Sequence, residues 1–405
     1  MKKLTVCLSL ILSLSSCKFF FGEKSDDTIK EIFIQGSIDP NLIPAGVGYV
    51  PVQPFFTGFS NPVDVCAGYD EMIYVVDDFG LHVLDQAGRR FKTIPILGAE
   101  EVVQDRRLHT YVSGRLNINV GGNNYNVAAV YHLSNTATAD GPYFLDTLIQ
   151  PFDDLSRAFT SFRGAPDEAV QYNGLTVLHD NTLMIGRTGP TNSSTGVAFP
   201  DNTVLFYDED GNNLGNSNGL NSKSPSIKSS YKIQAMNGFA GPPQRLFGIN
   251  ESRDFFLAQY DSINPVEFAC LGIEYQFDPD LGVRYDGKPI YLNFDTTKAT
   301  RFLYEPFRFG RIADLCVAAD NTEYLFVIDQ DKDSLYQFTN QGFEGVTPPA
   351  NFPASKQIIT SFGGEGSGLF NFREPSGVAY MKRIIYVADK GNGRICRYIL
   401  STDIE

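Results

Sequence analysis

One segment near the C-terminus limits the folds open to this chain: Phe362 to Tyr398 is a compact string of three strand-like runs separated by turn residues. Phe362-Gly363-Gly364 opens it, a glycine-rich stretch leads to Phe370, and Pro375-Ser376-Gly377-Val378-Ala379 begins the first run. Ile385-Tyr386-Val387-Ala388-Asp389 is the second, and Gly391-Asn392-Gly393-Arg394 turns the chain into a third, Ile395 to Ile399. Short runs rich in valine, isoleucine and tyrosine, bounded by glycine and asparagine, read as strands joined by tight turns. Proline suits the first position of a strand, where its missing N–H breaks no ladder. Asp389 is placed to accept backbone N–H groups across its turn, and Gly391 and Asn392 tolerate the positive φ that a reversal needs.

The same ruler recurs. Ile73-Tyr74-Val75-Val76-Asp77 and Tyr324-Leu325-Phe326-Val327-Ile328-Asp329 match Ile385 to Asp389, and their openings are Pro62-Val63-Asp64-Val65 and Ile312-Ala313-Asp314-Leu315. Leu81 to Asp85 and Leu335 to Phe338 supply the third strands. Three weaker units lie between: Leu108 to Val112 with Val127 to Leu133; Gly174 to Ile185 with Thr203 to Tyr207; and Arg245 to Gly248 with Phe255 to Tyr260 and Phe268 to Phe277. This pattern resembles the NHL-type repeat of six-bladed β-propellers. The resemblance implies an all-β propeller spanning residues 46–405. The last repeat stops after its third strand, so Gly48 to Gly58 is expected to supply the missing outer strand, closing the ring and hiding an edge. Surplus length between units implies insertions. Gly211 to Ser230, almost free of apolar residues, is expected to order only weakly, and Asp153 to Phe162 reads as a short helix.

At the other end, Lys2 and Lys3 precede an apolar run from Leu4 to Leu14, followed by Leu14-Ser15-Ser16-Cys17. The run is shorter than the roughly 20 residues a spanning helix needs, and its charged, apolar and small-residue zones are those of an export signal. Ending in cysteine, it resembles a bacterial lipoprotein signal. That implies removal of residues 1–16, acylation of Cys17 with palmitate-type chains, and a tether over residues 17–45 containing Phe19-Phe20-Phe21. Several acyl chains, each stabilised by about 0.8 kcal/mol per buried methylene, hold a protein to a membrane lastingly. Lys18 after the cysteine, in place of aspartate, resembles lipoproteins sent to the outer membrane.

The chain carries a net charge of −14, and loss of Lys2 and Lys3 with the leader makes it two units more negative. Such a surface repels phosphate backbones, and no basic cluster or groove-reading motif offsets it, so no nucleic-acid partner is expected. Cys66, Cys270, Cys316 and Cys396 stand singly inside apolar runs, and equivalent positions of separate blades lie beyond disulfide reach, so they are expected to be free thiols. None has zinc-ligand spacing.

Propeller sites lie at the mouth of the central channel. Asp64 and Asp314 hold matching inner-strand positions there, with Gly174 and Gly377 as their small counterparts. Paired carboxylates on one channel would raise each other's pKa and attract a hard cation such as Ca²⁺; the alternative is that each bonds local backbone N–H groups. Arg311 is placed to offer a positive group at the same rim or to pair with Asp314. Some proteins that the chain resembles are cation-dependent hydrolases or lyases, whose centres gather several histidine, asparagine or acidic side chains. His82, His109, His132 and His179 instead stand singly within strand patterns. The expected role is a binding or scaffolding module at the cell envelope, with envelope proteins or an extracellular polymer as partners.

Overall fold

Strand runs buried on both faces lose the alternation of a half-exposed sheet, and here they are covered because each sheet packs between two others. In the computed structural model, which describes residues 37–404 except 151, 154–161, 193–199, 243–249 and 281, the chain forms six antiparallel sheets. Blade 1 runs Asp64–Ala67, Ile73–Asp77, Gly80–Leu84 and Arg90–Ile94, from the axis outward. Blade 2 is Glu101–Gln104, Thr110–Val120, Asn123–Ser134 and Tyr143–Ile149; blade 3 is Gln171–Val177, Leu183–Thr188, Thr203–Tyr207 and Asn213–Asn216. Blade 4 comprises Ile233–Gly238, Phe255–Gln259, Cys270–Asp278 and Gly282–Gly287, and blade 5 Ile312–Val317, Leu325–Asp329, Ser334–Phe338 and Phe362–Gly363. Blade 6 has Pro375–Met381, Ile384–Asp389 and Arg394–Leu400.

The outer strand of blade 6 is Tyr49–Pro51, paired antiparallel with the last strand so that Tyr49, Val50 and Pro51 face Leu400, Ile399 and Tyr398. Phe56 and Thr57 add a second short pairing, to Ile395 and Arg394. The chain is therefore a six-bladed β-propeller closed by its own N-terminal strand. Pro51 fits because an outer strand leaves one row of N–H positions unpaired. Val50, Val52 and Ile399 bury together with Ile38, so the closure has an apolar seal as well as a ladder.

Some expectations shift. In the turn after the second strand of the last blade positive φ falls on Gly393, while Lys390–Asn392 forms a single 3-10 turn. The innermost strand of blade 4 is Ile233–Gly238; Arg245 to Gly248, expected in that unit, lies outside the described residues. Gly211 to Ser230 is better ordered than its composition implies: Asn213–Asn216 is the outer strand of blade 3, and Asn213, Asn221, Ser226 and Ser229 bond nearby backbone or side chains. Polar side chains substitute there for an apolar core. A helical turn occupies Ala165–Glu168, whereas the helix expected over Asp153 to Phe162 falls mainly on residues outside the described set. The leader, Cys17 and the tether up to residue 36 lie outside it too. Cys66, Cys270, Cys316 and Cys396 are free thiols, as expected.

Candidate functional site

The three clear repeats share a register at the axis. Asp64 pairs with Val76, one residue before Asp77; Asp314 pairs with Ile328, before Asp329; Gly377 pairs with Ala388, before Asp389. Glu101 in blade 2, opposite Ser113, and Ala235 in blade 4, opposite Ala258, hold the same place. Gly174 precedes Leu175, which pairs with Ile185, and fills it in blade 3. The matching of Asp64, Asp314, Gly174 and Gly377 expected from sequence is thus seen, and Glu101 joins them.

Each of these acids reaches into the next blade. Asp64 Oδ2 accepts from the Val102 N–H at 2.8 Å and Oδ1 from its neighbour Val65 at 2.7 Å. Asp314 repeats the arrangement with Val378 at 2.6 Å and Leu315 at 2.7 Å. Glu101 receives the N–H groups of Gly174 and Leu175, both at 2.5 Å. The other junctions are closed by neutral groups: Thr176 Oγ1 accepts from Gly238 at 2.9 Å, Asn237 Oδ1 from Val317 at 2.9 Å, and Ser376 Oγ donates to the Pro62 carbonyl at 2.9 Å. Every junction of the ring therefore carries a side-chain to backbone bond. Gly377 shows why glycine can take the place of an acid. A Cβ there would lie 2.8 Å from the Asp64 Cα, so that junction closes by backbone approach.

The acids are uncomfortable as ions. Burial lifts Asp64 to about 6, against the pull of its two N–H donors. Burial first, then the Asp64 charge, lifts Glu101 to about 8. Asp314 is pushed well above the ordinary carboxylate value by burial and then by Asp64, with Glu101 adding to it. The three line a channel cavity of about 80 Å³ together with Cys66 and Cys316, whose thiols are themselves raised by burial. Among the described residues no group of three or more histidine, cysteine or acidic side chains is arranged to hold a metal ion. A cation between Asp64 and Asp314 would have to share oxygens that already accept N–H hydrogens.

Arg311 does not pair with Asp314: its backbone N–H donates to Asp329 Oδ1 at 3.2 Å, and its guanidinium lies over the Tyr260 ring at 5.6 Å. Asp77, Asp329 and Asp389 support turns, largely by gripping the segment that leads into their own inner strand, through the N–H groups of Ser60, Gly310 and Arg373 at 2.8–2.9 Å. The histidines are less solitary than the sequence suggests. His82 Nε2 lies 2.7 Å from Asp77 Oδ1. His132 Nε2 lies 2.9 Å from His109 Nδ1 with the Tyr111 ring stacked on it, because Tyr111 and His132 face each other across two strands. Burial, then the His109 charge, lowers His132 to about 4. In the aromatic-rich stretch Phe302 to Phe309, Phe302, Leu303, Tyr304 and Phe309 are packed inside, leaving Phe307 exposed.

No protein-family model and no curated protein matches the chain. Among solved structures it is similar to a structural-genomics protein of unknown function from Bacteroides thetaiotaomicron VPI-5482, at 10% identity over 89% of this chain and 73% of that one, with a TM-score of 0.47. An auxiliary nutrient binding protein from Bacteroides ovatus ATCC 8483 is 11% identical over 90% and 74%, with a TM-score of 0.46. A luciferin-regenerating enzyme is 9% identical over 87% and 95%, with a TM-score of 0.49. At such identities a likeness concerns architecture alone, and the architecture rests on the strand registers above: this chain is a six-bladed β-propeller.

Proposed function

We propose that the protein is a lipid-anchored binding or scaffolding module of the cell envelope, held at the outer membrane through Cys17 and recognising an envelope protein or an extracellular polymer by its loop-built faces. The supporting observation is the unbroken round of inter-blade bonds at the axis. Asp64, Glu101 and Asp314, the groups best placed for chemistry, are engaged in holding blade to blade. Extra chain length lies outside that round, in the segments 288–311 and 339–361 and the hairpin of Thr110–Val120 with Asn123–Ser134. Feeding cells an alkyne-tagged palmitate should label the wild type and not Cys17→Ala, and mild crosslinking of the labelled protein in its membrane should trap a discrete partner. An unlabelled wild type in the soluble fraction would sink the anchor.

The raised acids support a second reading, because perturbed carboxylates gather at functional sites. It is a cation-dependent hydrolase or lyase in which Asp64 and Asp314 share a Ca²⁺ ion and Arg311 stands at the rim. Equilibrium dialysis with ⁴⁵Ca²⁺ separates the two: stoichiometric binding lost in Asp64→Ala supports the enzyme, and no binding supports the scaffold.

A further inference from the structure

A second cavity, of about 190 Å³, lies between blades 5 and 6, away from the axis. Its walls come from distant parts of the sequence. Tyr49 arrives on the closing N-terminal strand, Asp320 and Tyr324 on the first hairpin of blade 5, Tyr380 and Arg383 on that of blade 6, and Asp403 just beyond the last strand. The cavity therefore exists only when the ring is closed. Tyr380 is fixed by donating to Asp320 Oδ2 at 2.7 Å and by stacking on Phe326 at 5.4 Å. Tyr49 is fixed by donating to Gln337 Oε1 at 2.8 Å. Two fixed tyrosines, with Tyr324 beside them, thus border a space larger than the roughly 150 Å³ that accepts a benzene ring.

The two carboxylates differ in how they are engaged. Asp320 accepts from the N–H and hydroxyl of Thr322 as well as from Tyr380. Asp403 has a long ion pair with Arg383, at 3.8 Å. Burial raises the Asp403 pKa, Arg383 opposes the rise and Asp320 adds to it. A net negative pocket with aromatic walls attracts a cation through both the carboxylates and the ring faces.

We propose that this cavity binds a small organic cation, an alkylammonium group, with Asp403 as its ion partner and Tyr324 and Tyr380 as its walls. The group belongs either to a free amine or to the lysine side chain of a docked peptide. The site is separate from the channel and independent of the anchor at Cys17. Binding also couples to closure, since Tyr49 and Asp403 come from opposite ends of the chain.

The test is calorimetric titration of the full-length protein in mild detergent with n-butylammonium and with the tripeptide Gly-Lys-Gly, using n-butanol as the neutral control. Binding of either cation in preference to n-butanol, weakened roughly tenfold by Asp403→Asn, is the expected result. The tighter of the two names the source. Arg383→Gln removes the competing charge and should tighten binding several-fold, a gain that misfolding cannot imitate. At a hundredfold excess over Kd the ligand should raise Tm by about 3 °C. No heat from either cation up to about 10 mM, or equal affinity in wild type, Asp403→Asn and Arg383→Gln, overturns the proposal.

Discussion

Blades 1, 5 and 6 solve a local problem with one residue type, and blades 2, 3 and 4 solve it with three. At the end of the second strand the first group carries Asp77, Asp329 and Asp389, each drawing in the segment that leads to its own inner strand. The equivalent positions of the second group are Gly114, Arg187 and Gln259. Arg187 is fully buried and pairs with Asp201 at 2.6 Å. Gln259 accepts from Ser229 and donates to the Phe268 carbonyl, and beside Gly114 the Arg115 guanidinium donates to the Val170 and Glu168 carbonyls. The backbone requirement is shared, that orphaned donors and acceptors at the loop be satisfied; the chemistry meeting it is not.

Several changes would sharpen or break that comparison. The largest effect belongs to closure of blade 6. Deleting residues 46–58 removes the buried Tyr49, Val50, Val52 and Phe56, a loss of about 8 kcal/mol or roughly 10 °C in Tm. A melting curve unchanged by the deletion would refute the closure. Next comes Arg187→Ala, which takes from the buried Asp201 its closest cation, leaving it the Thr191 N–H and Arg163 at 4.0 Å, and should destabilise by about 3–5 kcal/mol in denaturant unfolding. Asp329→Ala should cost less, about 2–3 kcal/mol, since it frees the N–H groups of Gly310 and Arg311 at a half-open loop. If the two substitutions cost the same, the regular and divergent blades are tied more alike than their bonds suggest.

The smallest effect is in pH. The channel acids have raised pKa values, so the folded ring holds protons that the unfolded chain has already released. Their contribution is full below about pH 4 and is lost as pH rises through about 6 for Asp64 and about 8 for Glu101. The histidines are common to the wild type and Glu101→Gln, so they cancel in the comparison of the two. From pH 6.5 to 9 the wild type should lose about 2 kcal/mol, or 2–3 °C in Tm, and Glu101→Gln should flatten that slope. A slope equal in both proteins would remove Glu101 from the channel's proton balance.

Sequence alone reached the fold where strand, turn and aspartate repeat at one spacing, and it failed where a different side chain took over the turn. Asp64 and Asp314 were legible because each stands at a fixed offset from a recognisable second strand. Glu101 holds the same place, yet its partner strand runs on to Val120 in a long hairpin and ends the register at Gly114, so no ruler marks it. Ile233–Gly238 escaped notice as an inner strand because its blade lacks the aspartate entirely, with Gln259 in its stead. The cavity between blades 5 and 6 was invisible for a plainer reason: Tyr49 and Asp403 are neighbours only after the ring shuts.

The claim that the channel acids act as inter-blade fastenings is tested most directly by amide hydrogen exchange at the N–H groups they hold. In Asp64→Ala the Val102 amide should exchange faster by about tenfold or more while Val378, held by Asp314, keeps its protection; Asp314→Ala should show the reverse. Unchanged exchange at Val102 in Asp64→Ala would mean that this carboxylate does not bind the neighbouring blade, and that the acids of the channel serve something else.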